Sequence, residues 1–181
     1  MKGHDVVIHL AAIVGYTACR KDEKNTHDVN HQGTINVVDG LDGKQLLLYG
    51  STGSNYGKVE GVCTEESPLN PLSIYGVTKT LGEKEVMKYS NSIAFRFATA
   101  FGVSPQLRLE NEKKMSGEVY NVGSNSMNYS KGDVCKLIQA KSDCYVHYAD
   151  FDNDADKRDY VVSYDKINKL GFDTTVNVEQ G

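Results

Sequence analysis

Gln45 to Gly57 reads QLLLYGSTGSNYG, a short apolar run followed at once by glycine, two hydroxyl side chains and more small polar residues. An apolar run bounded by turn residues is the pattern of a strand buried on both faces. Asp5 to Leu10 (DVVIHL) and Ser92 to Phe97 (SIAFRF) repeat it. The segments between them have helical periodicity. Arg20 to Leu41 is polar, with apolar Val29, Ile35, Val38 and Leu41 at helical spacing, and Tyr75 to Tyr89 sets Leu81, Val86 and Met87 on an apolar side. Strand alternating with helix predicts a parallel α/β sheet. From Ser116 onward the pattern changes to short strands and polar helices, with a helix expected over Asp133 to Ile138 and a short strand over Val161 to Tyr164. That change predicts a smaller second lobe.

Bulk properties narrow the class. A chain of 181 residues can enclose a core of its own. Its net charge of −4 and pI near 5.7 argue against a general nucleic-acid surface, while leaving room for anionic small ligands. The four cysteines are scattered, with no CxxC pair. No signal peptide is evident, and the apolar stretch Val6 to Val14 falls short of the roughly 20 residues a spanning helix needs. Reduced thiols, a cytoplasmic location and no membrane partner are the expectation.

The chemistry is carried by Tyr75-Gly76-Val77-Thr78-Lys79. A tyrosine and a lysine four apart share one helix face. An ammonium near a phenol favours the phenolate and brings its pKa down from about 10. A hydroxyl at Thr52 can then orient a substrate oxygen against the phenol, which suits alcohol oxidation beside a nicotinamide. Each piece also has a plainer reading. The pair can be a solvated couple on a helix, Thr52 a turn hydroxyl bonded to its own backbone, and Ser51 the working hydroxyl instead. His27 and His31 stand four apart, but no third metal ligand accompanies them, so a solvated helix face is expected and no metal.

Seven stretches occur in an order that resembles the extended short-chain dehydrogenase/reductase family, in its nucleotide-sugar epimerase/dehydratase branch. They are Asp5 to Ala12, Asn30 with Gly33-Thr34, Ser51 to Gly57, Ser67 to Lys79, Phe95 to Gly102, Gly117 to Ser124 and Arg158 to Phe172. The resemblance implies a doubly wound, Rossmann-like sheet over residues 1–105 and a smaller α/β substrate lobe over residues 106–181. It implies NAD as cofactor, with NADP open, and a nucleotide-linked sugar as substrate. Tyr75 would be the general acid/base, Lys79 its partner and a ligand of the nicotinamide ribose, and Thr52 the second contact to the reacting oxygen. Ala11 and Ala12 would let the cofactor approach the end of their strand, with plain packing the alternative. Asn30 would order the site, unless it is an ordinary mid-helix polar residue. Thr99 stands where many relatives have asparagine, and Arg108 and Arg158 would grip a diphosphate or else form surface salt bridges. Arg96 fits a structural role as well as a functional one.

The departures from the family pattern carry as much weight. Gly53 and Ser54 occupy positions where family dehydratases resemble TDEVYG, so elimination lacks its carboxylates. Epimerisation through a transient 4-keto sugar needs only Tyr75, Lys79, Thr52 and NAD. The alternatives are an NAD(P)-dependent reductase or dehydrogenase, and a catalytically silent binding or scaffold member. Family members open with two βαβ-type units carrying a glycine-rich turn, and this chain begins where their fourth strand would be. Gly50, Gly53 and Gly57 do not replace that turn, because no apolar helix follows them. A second gap is expected near residues 109–110. Either segments have been removed and the ends joined, or the chain is a truncated paralogue. Relatives dimerise through the helix bearing the tyrosine and the helix near Asn30, so a homodimer is expected.

Overall fold

The computed structural model describes residues 3–98, 115–142, 144–147 and 160–178. Its strands are β1 (Val6–His9), β2 (Leu46–Thr52), β3 (Val62–Cys63), β4 (Ser92–Phe97), β5 (Glu118–Val122) and β6 (Val161–Val162). Four of them form one parallel sheet in the order β1-β2-β4-β5, and β3 pairs with β6 in a separate parallel ribbon.

Alternation along the strands makes two cores. Leu47, Tyr49 and Ala94 face one way and pack with Val86, while Leu46, Leu48, Ile93 and Phe95 face the other and pack with Met115, Tyr120, Tyr164 and Ile167. Each fully buried aliphatic side chain contributes about 1.5–3 kcal/mol, so these leucines and isoleucine account for much of the driving force. The expected strands at Gln45 to Tyr49 and Ser92 to Phe97 are present, the first running on to Thr52.

β1 corrects the expectation of burial on both faces. Val7 and His9 point inward, but Val6 and Ile8 are 41% and 61% exposed. β1 is an edge strand of the sheet, and its Val6 and Ile8 side is exposed among the described residues.

The chain leaves β1 through α1 (Tyr16–Lys21), α2 (Glu23–His27), a π-helical turn (Asp28–Gln32) and α3 (Gly33–Asp39). The single helix expected from Arg20 therefore starts earlier and is broken at Asp22. That residue leaves the helical region (φ −146°, ψ 86°) and caps α2 by accepting from the Asn25 N–H at 2.9 Å.

α4 (Ile74–Val86) begins at Ser73, whose hydroxyl accepts from the Gly76 N–H at 3.1 Å. Its buried residues are Gly76, Thr78, Lys79, Thr80, Gly82, Glu83 and Val86. The apolar side read from Leu81, Val86 and Met87 is thus only partly the inner side. The helix lies over polar strand ends, and small or charged side chains suit that contact.

β5 adds the fourth strand to the main sheet, so the sheet extends past the boundary expected at residue 105. The remainder holds α5 (Lys131–Lys141), started by a Ser130/Asp133 capping box, and α6 (Asp165–Asn168), which brings Ile167 under the sheet.

Candidate functional site

The site lies at the carboxyl ends of β1 and β2, where parallel sheets bind their ligands. After β1 comes the loop holding Ala11 and Ala12, and its next residue is fastened by Asn30. The Asn30 Oδ1 accepts from the Ile13 N–H at 2.7 Å, and its Nδ2 donates to the Ile13 carbonyl at 3.0 Å and to Thr78 Oγ1 at 3.2 Å. Asn30 is 1% exposed and sits in the π-helical turn. Such turns swing side chains out of the regular helical register. Asn30 is therefore more than the ordinary mid-helix polar residue of its plainer reading. One amide ties the β1 loop to the first turns of α4.

Thr78 repays that tie by donating to the carbonyls of Ile74 and Tyr75 at 2.9 and 3.1 Å. Tyr75 is half-buried, on the helix turn so anchored. Lys79, one turn on, is only 2% exposed, and its Nζ stands over the Tyr49 ring, 4.0 Å from the centroid. Burial lowers the amine to about 8, against an opposing pull from Glu83. The solvated-couple reading fails for Lys79, which is enclosed. Tyr49 is the wall: burial pushes its phenol well up, and Glu83 and Tyr75 add to the rise.

His9 completes this wall. Its Nε2 lies 2.9 Å from Thr34 Oγ1, whose own proton goes to the Asn30 carbonyl at 2.7 Å, so the imidazole donates from Nε2. Burial first, then Lys79, drives His9 down to about 4, keeping it neutral beside the ammonium.

Thr52 and Ser51 point to opposite faces of β2. Thr52 Oγ1 accepts from the Ser54 N–H and donates to Ser54 Oγ, both at 3.2 Å. Thr52 thus has the turn-hydroxyl bonding that the sequence allowed as its plainer reading. Ser51, the competing hydroxyl, is committed elsewhere: its Oγ donates to Glu83 Oε2 at 2.6 Å. The turn after Thr52 meets α4 directly, since a Cβ on Gly76 would lie 3.0 Å from the Ser54 carbonyl oxygen. Tyr160 adds a bond from its hydroxyl to the Gly53 carbonyl at 2.6 Å.

Beneath these groups lies a polar cluster the sequence reading missed. Glu83 receives Arg96 in a forked pair, Nε to Oε2 at 3.0 Å and Nη2 to Oε1 at 2.5 Å, and Asn55 Nδ2 joins at 3.0 Å. Arg96 is structural. Tyr75, Lys79 and Glu83 stand at successive four-residue steps, the sequence signal by which Glu83 is recognisable. Thr99, Arg108 and Arg158 lie outside the described residues. His27 and His31 meet edge to face at the surface, and no group of three metal-ligating side chains occurs among the described residues.

The profile of the family described as NAD dependent epimerase/dehydratase matches residues 1–127, more than half of the chain. The chain belongs to that epimerase/dehydratase family. Among curated relatives, an uncharacterized UDP-glucose epimerase of Bacillus subtilis is 34% identical over 110 residues, 56% of this chain and 35% of the relative. A putative UDP-glucose 4-epimerase of Methanocaldococcus jannaschii is 31% identical over 101 residues, 54% of this chain and 33% of the relative. The matches thus span about a third of these relatives' length. Pal from Bacillus thuringiensis superposes with a TM-score of 0.84 at 18% identity, over 99% of this chain and 74% of that one. A UDP-glucuronic acid 4-epimerase from Bacillus cereus, solved in complex with NAD, gives 0.78 at 23% identity, over 99% and 72%. At such identities the likeness is one of fold, and it agrees with the doubly wound α/β sheet of this epimerase/dehydratase chain.

Proposed function

We propose that the protein epimerises a nucleotide-linked sugar through a transient 4-keto form, with Tyr75 as general acid/base. The observation that carries this reading is the enclosure of Lys79 one helical turn from a half-buried Tyr75, at the mouth of the sheet. A buried ammonium there has no packing advantage, but it stabilises the phenolate that accepts a carbinol proton. Thr52, at the end of β2, would orient the reacting oxygen. Thr99, Arg108 and Arg158 remain the proposed contacts to the sugar and its diphosphate.

The residues present fit the nicotinamide-ribose end of NAD. The Lys79 ammonium would supply hydrogen-bond donors, and the β1 loop fastened by Asn30 carries only small side chains at Ala11 and Ala12. NAD would supply the two-electron oxidation and re-reduction of the sugar carbon. Tyr75 would take the hydroxyl proton in the first half and return it in the second. Gly53 and Ser54 place no carboxylate at the turn, which favours epimerisation over elimination. We further propose a cytoplasmic homodimer joined through α4 and the helices near Asn30.

The test uses full-length protein with NAD and a panel of nucleotide sugars, following C4 configuration by NMR. Inversion without net NADH supports the proposal, whereas net NADH formation indicates a dehydrogenase. Tyr75→Phe is expected to lower turnover by at least about 100-fold. Full activity in that variant would sink the assignment.

A further inference from the structure

We propose that Glu83 is a positioning residue for the Tyr75–Lys79 pair: clamped to Arg96 across the sheet, it fixes the α4 turn bearing Lys79 and keeps that amine charged. This rests on the reading of Tyr75 and Lys79 given above.

The clamp is built into the strand register. Ser51 on β2 pairs with Arg96 on β4, and Arg96 pairs with Asn121 on β5, giving a polar row across three strands on the α4 side. Glu83 descends onto this row from α4. Its carboxylate takes four bonds, two from Arg96 and one each from Ser51 and Asn55. Arg96 extends the row through Nη1, which donates to Tyr56 Oη at 3.0 Å and to the Glu65 carbonyl at 3.1 Å. Tyr56 Oη donates to Asn121 Oδ1 at 2.6 Å, and Asn121 Nδ2 to the Ser163 carbonyl at 3.1 Å. One carboxylate thereby fastens the tyrosine-bearing helix to β2 and β4 and, through Arg96, Tyr56 and Asn121, to the chain leading into α6.

Charge gives the clamp its second role. A neutral amine cannot hold a phenolate, so Lys79 must stay protonated while burial works against it. The titratable groups around it are His9 from β1, Tyr49 from β2 and Glu83 from α4, with Tyr75 one helical turn before it. His9 is neutral and the phenols are uncharged or transiently anionic. Among the described residues Glu83 is therefore the negative charge that opposes burial at Lys79, and Arg96 from β4 pairs with the same carboxylate.

The experiment reads Lys79 itself. Full-length protein carrying 13C at lysine Cε is titrated by NMR without sugar or dinucleotide, the Lys79 signal being assigned by its loss in Lys79→Met. The wild-type midpoint is expected near 8. In Glu83→Gln it should fall by about 1 pH unit, and the alkaline limb of the activity profile should fall with it. Glu83→Gln leaves Arg96 unpaired, so Glu83→Gln/Arg96→Met is measured alongside. A shift in the same direction but smaller is expected there, because the guanidinium that disfavours a charged Lys79 is removed together with the carboxylate that favours it. A Lys79 midpoint unmoved in either folded protein would overturn the proposal. The reading of Tyr75 fails separately: full activity in Tyr75→Phe with a shifted Lys79 midpoint would remove the reaction and keep the clamp.

Discussion

Lys79 is a residue kept against the interest of stability. Its folded amine is lowered to about 8 from an ordinary 10.5, so between those values the unfolded chain binds more protons than the native one. Native stability therefore rises with pH across that window, and the full burden is felt below pH 8. Lys79→Met is expected to stabilise the fold by about 1–3 kcal/mol at pH 7, with the gain vanishing above about pH 10.5. Denaturant melts at pH 7 and pH 10 check this, and loss of stability at pH 7 would show that the ammonium is held by bonds that outweigh burial. Glu83 stands on the opposite footing. Breaking a buried pair from one side costs about 3–5 kcal/mol, so Glu83→Gln should melt well below the wild type. Tyr75, Lys79 and Thr52 stand out in the sequence as candidates because the four-residue spacing of the pair is local and the resemblance of the surrounding stretches marks all three. Ser51 and Thr52 were not separable there, since only the placement of α4 decides which face of β2 meets Glu83.

At the scale of elements, α4 shows why amphipathic patterns mislead near a site. An apolar inner face was the natural expectation from Leu81, Val86 and Met87, yet the helix turns polar and small residues inward. Gly82 marks the closest approach. A Cβ there would stand 2.5 Å from Tyr49 Oη and 3.1 Å from the Asn30 carbonyl oxygen. Gly82→Ala gains up to about 1 kcal/mol of helix propensity but overpacks this contact, which costs about 1–3 kcal/mol. A net loss of stability is expected in thermal melts, together with lower turnover as α4 lifts from β2. Unchanged melting with unchanged turnover would mean the contact is slack. The breaks at Asp22 and at the π-helical turn were equally hidden from periodicity. They exist because Asp22 caps a new helix and Asn30 must reach both Ile13 and Thr78.

Across the whole molecule, the exposed side of β1 is the least finished surface described. Val6, Ile8 and Leu10 form one apolar strip, with Ile8 61% and Leu10 67% exposed. An outer strand with an apolar face invites self-association. A protein of these 181 residues alone is expected to scatter light increasingly with concentration, and Ile8→Lys to reduce that scattering several-fold. Equal scattering by both would place the contact elsewhere. The amino-acid order by itself determined the alternation of buried strands and helices, the parallel sheet and the tyrosine–lysine couple, since each follows from hydrophobic period or short spacing. It also marked the turn at Gly53-Ser54 as lacking carboxylates. Only tertiary structure decided that Val6 and Ile8 of β1 stand exposed among the described residues, that β5 joins the main sheet, and that Glu83, Arg96, Ser51 and Asn55 close into one cluster. Those groups lie on different strands and helices, and strand order and register, which no local pattern encodes, bring them within hydrogen-bond reach.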